Sequence, residues 1–429
     1  MSDSSQPLTL AAVGCGSRAR TYSRIAMSME GRYSVVAGAD PIPDRVEALR
    51  EISQNPDFRS FDSANALLEQ ERMADVLIIG TQDNYHYEPA KKALELGYHL
   101  LLEKPAAQTL EETMELARLA EKYDRKILLC FVLRYTPFYS KVNEILRSGR
   151  LGEVISMHAT EGVDAWHQSH SFVRGHWGKS SESTPMIVAK CSHDTDYIAW
   201  LMQSRCKSVS SYGRLSYFTP ENAPEGATAR CTSGCPHAAP QGGSCMYDTH
   251  QYLGKHSRWL DMVYPNPNER PDEEVLAWLD HSPWGRCAWK CDNDVVDHQV
   301  VNMDFENGAT ASLTMTAFDF GRSIEIYGTK ATLRGGDAHK QLSGSHFSIR
   351  DHDSGEIEMI SLAEMDDNGY QGHGGGDYGL VDSMDAVFRG DGRESSTISC
   401  SVEGHIIGFA AEQSRLAGGE PVTLADLRS

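Results

Sequence analysis

Apolar runs and amphipathic stretches alternate along the first 150 residues. The segments 8–13, 76–79 and 127–132 are almost entirely hydrophobic, which is typical of strands buried on both faces of a parallel sheet. Between such strands, apolar residues recur at helical spacing, as in the stretch 110–123. This alternation predicts a doubly wound β-α-β domain over residues 1–150.

The pattern changes after Gly152. Helices become fewer, and longer strands joined by turns are predicted at 153–158, 207–216, 298–305, 310–318 and 322–328. We therefore expect a second domain over 151–429, an α/β domain with a large open, mostly antiparallel sheet and helices on one face. An irregular insertion that contains Pro, Gly and Cys interrupts it at about 219–294.

Charge and composition narrow the class of partner. The formal net charge is −20 at pH 7, which opposes binding to nucleic acid or an anionic membrane and favours a small, uncharged substrate. No segment approaches the roughly 18 apolar residues that span a bilayer, and the first residues lack the regions of a secretory signal. We expect a cytoplasmic protein whose ten cysteines form no structural disulfides.

The first predicted strand ends in the turn Gly14-Cys15-Gly16-Ser17-Arg18-Ala19. In a GxGxxA turn the first glycine permits a sharp bend, the second lets a pyrophosphate approach the backbone, and the alanine allows close packing of helix on strand. Asp40 ends the second strand, where a carboxylate binds the ribose 2′-hydroxyl of NAD and repels the 2′-phosphate of NADP. The alternative is a bare strand-to-helix turn, but the combination predicts a domain that binds NAD.

Polar residues follow the next two strands. Thr81, Asn84 and His86 come after the third strand, and Glu103 and Lys104 come after the fourth. The carboxyl ends of strands in an open α/β sheet face the ligand crevice, so these residues are candidates for the cofactor site. The alternatives are a polar loop that caps the next helix and an ordinary surface lysine.

Motifs of one enzyme family occur in order along residues 8–335. Besides the glycine turn, Asn84 and His86, they are Tyr98–Pro105, Arg134-Tyr135 followed by Pro137, Gly149–Val154, His193–Asp196 and Ile326–Ala331. Together they resemble the glucose–fructose oxidoreductase / inositol dehydrogenase / rhizopine catabolism (Gfo/Idh/MocA) family.

The resemblance implies an N-terminal Rossmann domain, followed by an α/β domain whose open sheet provides substrate contacts and often the oligomer interface. It implies NAD(H) or NADP(H), a sugar or polyol substrate, and a homo-oligomer such as a dimer or tetramer. Lys104 would contact cofactor and substrate hydroxyl, with a cis peptide before Pro105. His193 would be the general base, a task that suits imidazole because its ordinary pKa is near neutral. The predicted cofactor-binding residues are Gly14, Gly16, Ser17, Arg18, Asp40, Thr81, Asn84, His86, Glu103, Lys104 and Arg134.

One position departs from the family pattern. Many members place an aspartate four residues before the histidine, where this chain has Ala189. The usual Lys–Asp–His triad is therefore incomplete. Lys190 would alter the electrostatics of the site. Asp194 and Asp196 are the carboxylates left to orient the ring, although a directly adjacent residue is geometrically poor for this, and the alternative for Asp196 is to cap the helix. Lys190 and Asp194 are counted among the predicted substrate-site residues.

Two further segments supply substrate-site candidates. The stretch 171–178 brings Arg174, His176 and Trp177 together, where an indole can stack on a sugar or serve the core. His373 lies in Gly372–Tyr378, a glycine-rich segment that resembles one in NAD-dependent α-N-acetylgalactosaminidases. Those enzymes oxidise the sugar transiently at C3, eliminate the C1 substituent, add water and return the hydride. A structural turn is the alternative reading of these glycines.

The function expected from the sequence is transfer of a hydride between a sugar, glycoside or polyol hydroxyl carbon and NAD. The main alternative is an NAD-dependent glycoside hydrolase or lyase that uses the same site without net oxidation. A third hypothesis is a non-catalytic dinucleotide sensor, against which the presence of both Lys104 and His193 argues.

Cysteines concentrate in the insertion. Cys231, Cys235, Cys245 and Cys291 offer four soft donors for a structural zinc, with Cys287, His237 and His250 nearby in sequence. The alternative is a set of free core thiols.

Overall fold

The computed structural model describes residues 6–239, 241–264, 267–362, 372–390 and 396–428. Its first domain contains a six-stranded parallel sheet in the order β3-β2-β1-β4-β5-β6, formed by β1 (Leu8–Val13), β2 (Tyr33–Ala39), β3 (Arg59–Phe61), β4 (Val76–Ile79), β5 (His99–Leu102) and β6 (Ile127–Leu129). This topology confirms the predicted Rossmann domain. β3 is an addition to the prediction, because it is a short edge strand whose side chains are exposed or half-buried and so carries no apolar signal.

Helices connect these strands: α1 (Ser17–Ser28), α2 (Pro43–Ser53), α3 (Ala64–Leu68), α4 (Tyr87–Glu95), α5 (Leu110–Lys122) and α6 (Pro137–Arg147). Thr109 and Glu112 form a capping box at the start of α5, and the Thr136 side chain caps α6. The strand order reverses between β1 and β4, so the ligand crevice of this topology lies at their carboxyl ends.

The second sheet has nine strands in the order β14-β13-β12-β11-β7-β10-β9-β8-β15. They are β7 (Val154–Val163), β8 (Cys206–Arg214), β9 (His298–Phe305), β10 (Thr310–Thr316), β11 (Phe320–Gly328), β12 (Ala331–Gly336), β13 (Phe347–Asp351), β14 (Ile357–Ile360) and β15 (Val422–Thr423). β10 pairs with β7 in parallel, and the other described pairs are antiparallel. The mostly antiparallel sheet expected from the sequence is confirmed.

The remaining helices are α7 (Ala165–His167), α8 (Met186–Ala189), α9 (Ser192–Met202), α10 (Ser257–Leu260), α11 (Asp272–His281), α12 (Asp337–Ser343), α13 (Gly376–Arg389) and α14 (Ile398–Leu416). Residues 168–174 continue α7 as π-helical turns. Apolar side chains of α8, α9 and α14 share one buried core with β7, β9, β10 and β11. α9 begins at Ser192, so His193 lies in its first turn.

After the second sheet the chain returns to the first domain. Leu380, Val381 and Met384 of α13 pack in the same core as β1 and α1. Ser396 and Thr397 then run beside β6, where the Leu129 amide donates to the Ser396 carbonyl. The segment 151–429 predicted as the second domain therefore contains one helix, α13, that packs against the sheet of the first domain.

The insertion between β8 and β9 is built from short helices and loops around two buried clusters. One contains several cysteines with Phe218, Tyr247 and Trp289, and the other contains Trp166, Tyr252 and Trp284. No helix in the described part of the chain is long and apolar enough to cross a membrane.

Candidate active site

The glycine turn has the shape of an anion site. Gly14 has a φ of +77°, and a Cβ there would lie 2.7 Å from the backbone nitrogen of Thr81, so only glycine fits. A Cβ on Gly16 would meet no atom within 4 Å, which leaves open space beside the backbone. α1 begins with the exposed Ser17 and has neither a side-chain cap nor an acidic residue in its first turn. Its first amides can therefore bind the pyrophosphate of a dinucleotide.

Asp40 is buried at the end of β2. Its Oδ2 accepts a hydrogen bond from the Cys15 amide at 2.9 Å, and its Oδ1 accepts one from the Ile42 amide at 2.9 Å. Nη1 of Arg45 lies 3.8 Å from Oδ2. The carboxylate therefore braces the glycine turn and places negative charge where the second strand ends.

Arg18 links three elements at the mouth of the turn. Its Nε lies 2.8 Å from Oε1 of Glu103, and its Nη2 lies 2.6 Å from Oδ1 of Asp377 at the start of α13. Tyr22 also donates to Glu103 at 2.7 Å. Arg18 and Glu103, both predicted for the cofactor site, are thus paired with each other beside the crevice.

The loop after β4 supports the turn that carries Lys104. His86 is buried, with Nδ1 2.8 Å from the Pro105 carbonyl oxygen and Nε2 3.1 Å from that of Thr81. Asn84 is exposed. The Lys104–Pro105 peptide is cis, as the family resemblance implies. His86 therefore joins the ends of β4 and β5 rather than standing free.

Lys104 reaches from the first domain into the second. Its Nζ donates to the carbonyl oxygen of Ala189 at 2.9 Å. Burial lowers the pKa of the ammonium group, and the charges of Glu103 and Asp83 oppose that shift. At Ala189 the lysine is therefore bound by a backbone carbonyl and not by a carboxylate.

His193 is buried in the first turn of α9, and its Nδ1 has no hydrogen-bond partner among the residues that the structure describes. The rings of Phe131 and His373 lie 5.9 and 6.2 Å away, centroid to centroid. Burial, followed by the charges of Lys104 and Arg322, holds the pKa of His193 well below its ordinary value. The imidazole is therefore neutral near pH 7, the form that can accept a proton.

Four charged residues form a cluster beneath these two groups, which we call the buried charge cluster: Glu161, Lys190, Asp194 and Arg322. Lys190 Nζ lies 2.8 Å from Glu161 Oε1, and Arg322 Nε lies 2.9 Å from Glu161 Oε2. Arg322 also donates to both oxygens of Asp194, at 2.7 and 3.1 Å. The structure therefore assigns Asp194 to Arg322 and not to the His193 ring, a correction to the expectation that it orients the base.

Arg134 and Asp196 form a second buried pair. Nε and Nη2 of Arg134 donate to the two carboxylate oxygens at 2.7 and 2.6 Å. Both side chains are almost fully buried. The pair anchors α9 to the first domain, so Asp196 is likewise engaged away from His193, and the assignment of Arg134 to the cofactor stays a prediction.

The three residues predicted as substrate-site candidates in one loop, Arg174, His176 and Trp177, have different environments in the structure. Arg174 is buried and donates to the carbonyl oxygens of Arg286 and Tyr247, at 2.7 and 2.6 Å, which is a structural role. His176 is exposed. Trp177 Nε1 donates to Asp83 at 2.8 Å and so joins the crevice side of the first domain.

His373 lies beside His193 and is partly exposed. Its Nδ1 is 3.1 Å from Oδ2 of Asp377, which is also bound by Arg18. Although burial raises it, the hydrogen bonds from His373 and Arg18 hold the pKa of Asp377 well below its usual value. The glycine-rich segment thus brings an imidazole and a carboxylate to the edge of the site.

The sequence did not single out Asp83, Glu161 or Arg322. Asp83 stands inside the Thr81–His86 segment, so its position after β4 was the available signal. Glu161 and Arg322 are cross-strand neighbours of β7 and β11, and no local motif marks them.

The cysteines of the insertion do not form the predicted zinc site. Cys231, Cys235, Cys245 and Cys287 line an enclosed cavity of about 10 Å³, enough for about one water molecule. Cys291 instead donates to the Cys287 carbonyl oxygen at 3.3 Å. Within the described ranges no group of three or more His, Cys, Asp or Glu residues is placed to hold a metal ion, so zinc is not supported.

Comparisons with known proteins agree with this architecture. YteT of Bacillus subtilis, named as an oxidoreductase, is 24% identical over 396 residues, 87% of each chain. The D-glucoside 3-dehydrogenase of Escherichia coli is 28% identical over 38% of this chain and 46% of its own. Glycosyl hydrolase family 109 protein 3 of Phocaeicola vulgatus is 30% identical over 39% of this chain and 29% of its own. The solved WlbA dehydrogenase of Chromobacterium violaceum, in complex with NADH and UDP-GlcNAcA, superposes with a TM-score of 0.65 at 17% identity, over 99% of this chain and 97% of that one.

The Rossmann domain, its glycine turn and the open-sheet domain define an NAD(P)-binding oxidoreductase. The family model for the oxidoreductase family with an NAD-binding Rossmann fold matches residues 8–131, and the model for the GFO/IDH/MocA C-terminal domain matches 139–334. The chain belongs to the Gfo/Idh/MocA family.

Proposed function

We propose that this protein is a dehydrogenase that transfers a hydride between a hydroxyl-bearing carbon of a sugar, glycoside or polyol and NAD. The observation that carries the proposal is the meeting of Lys104 and His193. They come from different domains: Lys104 donates to the carbonyl oxygen of Ala189, four residues before His193, and after burial its charge is a further cause that lowers the pKa of His193. The named dehydrogenase relatives act on substrates of this kind, which supports the class but not one sugar.

The residues divide the chemistry between them. Bound NAD supplies the hydride acceptor at the nicotinamide ring. Lys104 donates a hydrogen bond to the substrate hydroxyl oxygen and stabilises the negative charge that develops there. His193 accepts the hydroxyl proton, because its pKa is held low enough to keep it neutral.

We further propose NAD rather than NADP as the cofactor. The Asp40 carboxylate is buried at the end of β2 and fixed by two backbone amides, so it cannot turn away from a 2′-phosphate. The predicted cofactor contacts of Ser17, Thr81 and Asn84 belong to the same proposal.

The test is a survey of polyols and sugars with purified protein and NAD+, monitored at the absorbance band of NADH. We expect stoichiometric NADH with at least one substrate class. His193→Ala should lower turnover at least about 100-fold. His281→Ala, at an exposed position at the end of α11, is the matched control and should be unchanged. Equal turnover in wild type and His193→Ala would show that His193 is not the base.

A second function is favoured by one observation, the His373–Asp377 pair beside His193. Bound NAD would supply transient oxidation of the sugar. His373 would protonate the C1 leaving group, His193 would accept the C2 proton, and water would then add in place of the leaving group, which gives redox-neutral glycoside cleavage. This alternative predicts aglycone release from a nitrophenyl glycoside with catalytic NAD+ and no net NADH. His373→Ala should then abolish release, and unchanged release would reject the role of His373.

We also propose a homo-oligomer formed through the outer face of the nine-stranded sheet. That face has an open groove of about 530 Å³, whose lining includes Ser210, Asn302 and Ser312. A molar mass measured by light scattering decides between this assembly and a monomer.

A further inference from the structure

Asp83 is a buried carboxylate of the first domain that receives its hydrogen bonds from the second domain. Its Oδ1 accepts from Trp177 Nε1 at 2.8 Å. Its Oδ2 accepts from Ser183 Oγ at 2.7 Å and Thr184 Oγ1 at 2.9 Å. All three donors are neutral, and the residue is only 4% exposed. The carboxylate is therefore satisfied by three hydrogen bonds from the second domain, none of them from a cation.

The donors lie on the segment that leads to the catalytic candidates. Ser183 and Thr184 directly precede α8, whose last residue, Ala189, accepts the hydrogen bond of Lys104. His193 follows four residues later, in the first turn of α9. Asp83 therefore holds the chain immediately before the two contacts on which the proposed reaction depends.

Asp83 also acts on Lys104 through its charge. The other carboxylate that stabilises the ammonium group is Glu103, which is already paired with Arg18. Ala189 offers Lys104 a backbone carbonyl and no charge. The charged and titratable groups that interact with Lys104 are Glu103, Asp83, Lys190 and Arg18, together with His167, His193 and His405.

We propose that Asp83 is a positioning residue for the reaction, one that pins residues 177–184 against the cofactor domain and places a negative charge after β4, beside the strand that leads to Lys104. This inference rests on the proposed dehydrogenase function. In this role Asp83, a residue of the cofactor domain, holds groups of the substrate domain in place.

Four variants separate the charge from the clamp. Asp83→Asn removes the charge and keeps one acceptor, while Asp83→Glu keeps the charge. Trp177→Phe and Ser183→Ala each remove one donor and leave the carboxylate. Melting temperature and NAD+ affinity, followed by fluorescence, establish that each variant is folded and binds the cofactor.

The pH dependence of kcat/KM distinguishes a charge from a purely structural brace. Loss of a nearby negative charge destabilises the protonated lysine, so Asp83→Asn should move the alkaline limb to lower pH by about one unit. Its kcat should fall at least about tenfold. Asp83→Glu should restore the limb, and Trp177→Phe and Ser183→Ala should lower kcat/KM without moving it. An alkaline limb in Asp83→Asn at its wild-type position overturns the electrostatic role.

Hydrogen exchange of residues 177–184 in the NAD+-bound protein tests the clamp without a substrate. Exchange should rise in Asp83→Asn and Trp177→Phe and stay at its wild-type rate in His281→Ala. Unchanged exchange in both variants overturns the clamp. If the wild-type protein oxidises no polyol or sugar but exchange still rises, the proposed function fails while the clamp stands. Should Asp83→Asn not fold, Trp177→Phe and Ser183→Ala decide the clamp, and Asp83→Glu decides the charge by keeping the wild-type limb.

Discussion

The two halves of the candidate site are assembled in different ways. On the cofactor side, Gly14, Gly16 and Asp40 act within one turn and the strand beside it, so their chemistry is encoded by local spacing. On the substrate side, the buried charge cluster combines β7, α9 and β11. Its members meet because Glu161 stands opposite Arg322 in the register of two antiparallel strands. A local motif thus identifies the cofactor class, whereas the substrate half depends on the assembled fold.

The largest effect is expected at Gly14, where the glycine turn has no room for a side chain. Gly14→Ala forces a Cβ into a left-handed residue and to 2.7 Å from the Thr81 backbone nitrogen. The left-handed conformation costs about 1–2 kcal/mol and the overlap about as much again. We expect loss of measurable NAD+ binding by calorimetry, together with a lower melting temperature.

Gly16→Ala is the matched control for that change. Its φ is −72°, and its Cβ would meet no protein atom within 4 Å. Its stability should therefore remain near wild type, while NAD+ affinity falls at least about tenfold because the methyl group crowds the pyrophosphate. Wild-type affinity in Gly16→Ala would show that the dinucleotide does not pass this turn.

On the substrate side, Arg322→Met should be the most destabilising single change. It leaves Glu161 and Asp194 buried with only Lys190 as a counter-charge, and breaking a buried pair typically costs about 3–5 kcal/mol. Urea denaturation measures the loss. The control is Arg150→Met, whose exposed pair with Glu358 is worth at most about 1 kcal/mol. Equal losses in the two variants would contradict the importance of the cluster.

This contrast explains how far sequence reasoning could go. The apolar runs predicted the strands of the first sheet, apart from the short polar strand β3. The glycine turn, Asp40 and Lys104 could be named because strand ends of a parallel sheet meet at one edge. The features that predicted the fold and the family are therefore local: apolar runs and motifs at the ends of strands.

The rest required three-dimensional information. Asp194 was one of two candidates for orienting His193, but the structure pairs its carboxylate with Arg322 of β11 instead. Four cysteines do meet, yet around a cavity of about 10 Å³ and with Cys287 in place of Cys291. Spacing alone cannot distinguish a thiol cluster of the core from a metal site, because both need soft, buried side chains.

The pH dependence of kcat/KM tests whether the buried charge cluster acts on the proposed base, His193. The pKa of His193 is held well below 6.5, so kcat/KM should stay level from about pH 8 to 6 and fall only as the pH drops through the folded-state pKa. Lys190→Met removes one of the charges that lower this pKa. The acid limb should then move to higher pH, by about one unit at most. A limb that stays in place or moves to lower pH would show that the cluster does not act on the base.

The smallest expected effect concerns the choice of cofactor. Asp40→Asn keeps an oxygen that can accept from the Cys15 amide, so the turn should remain intact. The negative charge is lost, and Arg45, 3.8 Å from the carboxylate, then faces an incoming 2′-phosphate without opposition. We expect the preference for NAD+ over NADP+ to fall about tenfold, equivalent to about 1.4 kcal/mol, in competitive binding measurements. Asp382→Asn, at an exposed carboxylate on α13 paired with Arg32, should leave the ratio unchanged. If Asp40→Asn also leaves the ratio unchanged, the choice of cofactor depends on groups other than this carboxylate. The spacing between the glycine turn and Asp40 would then not predict the cofactor.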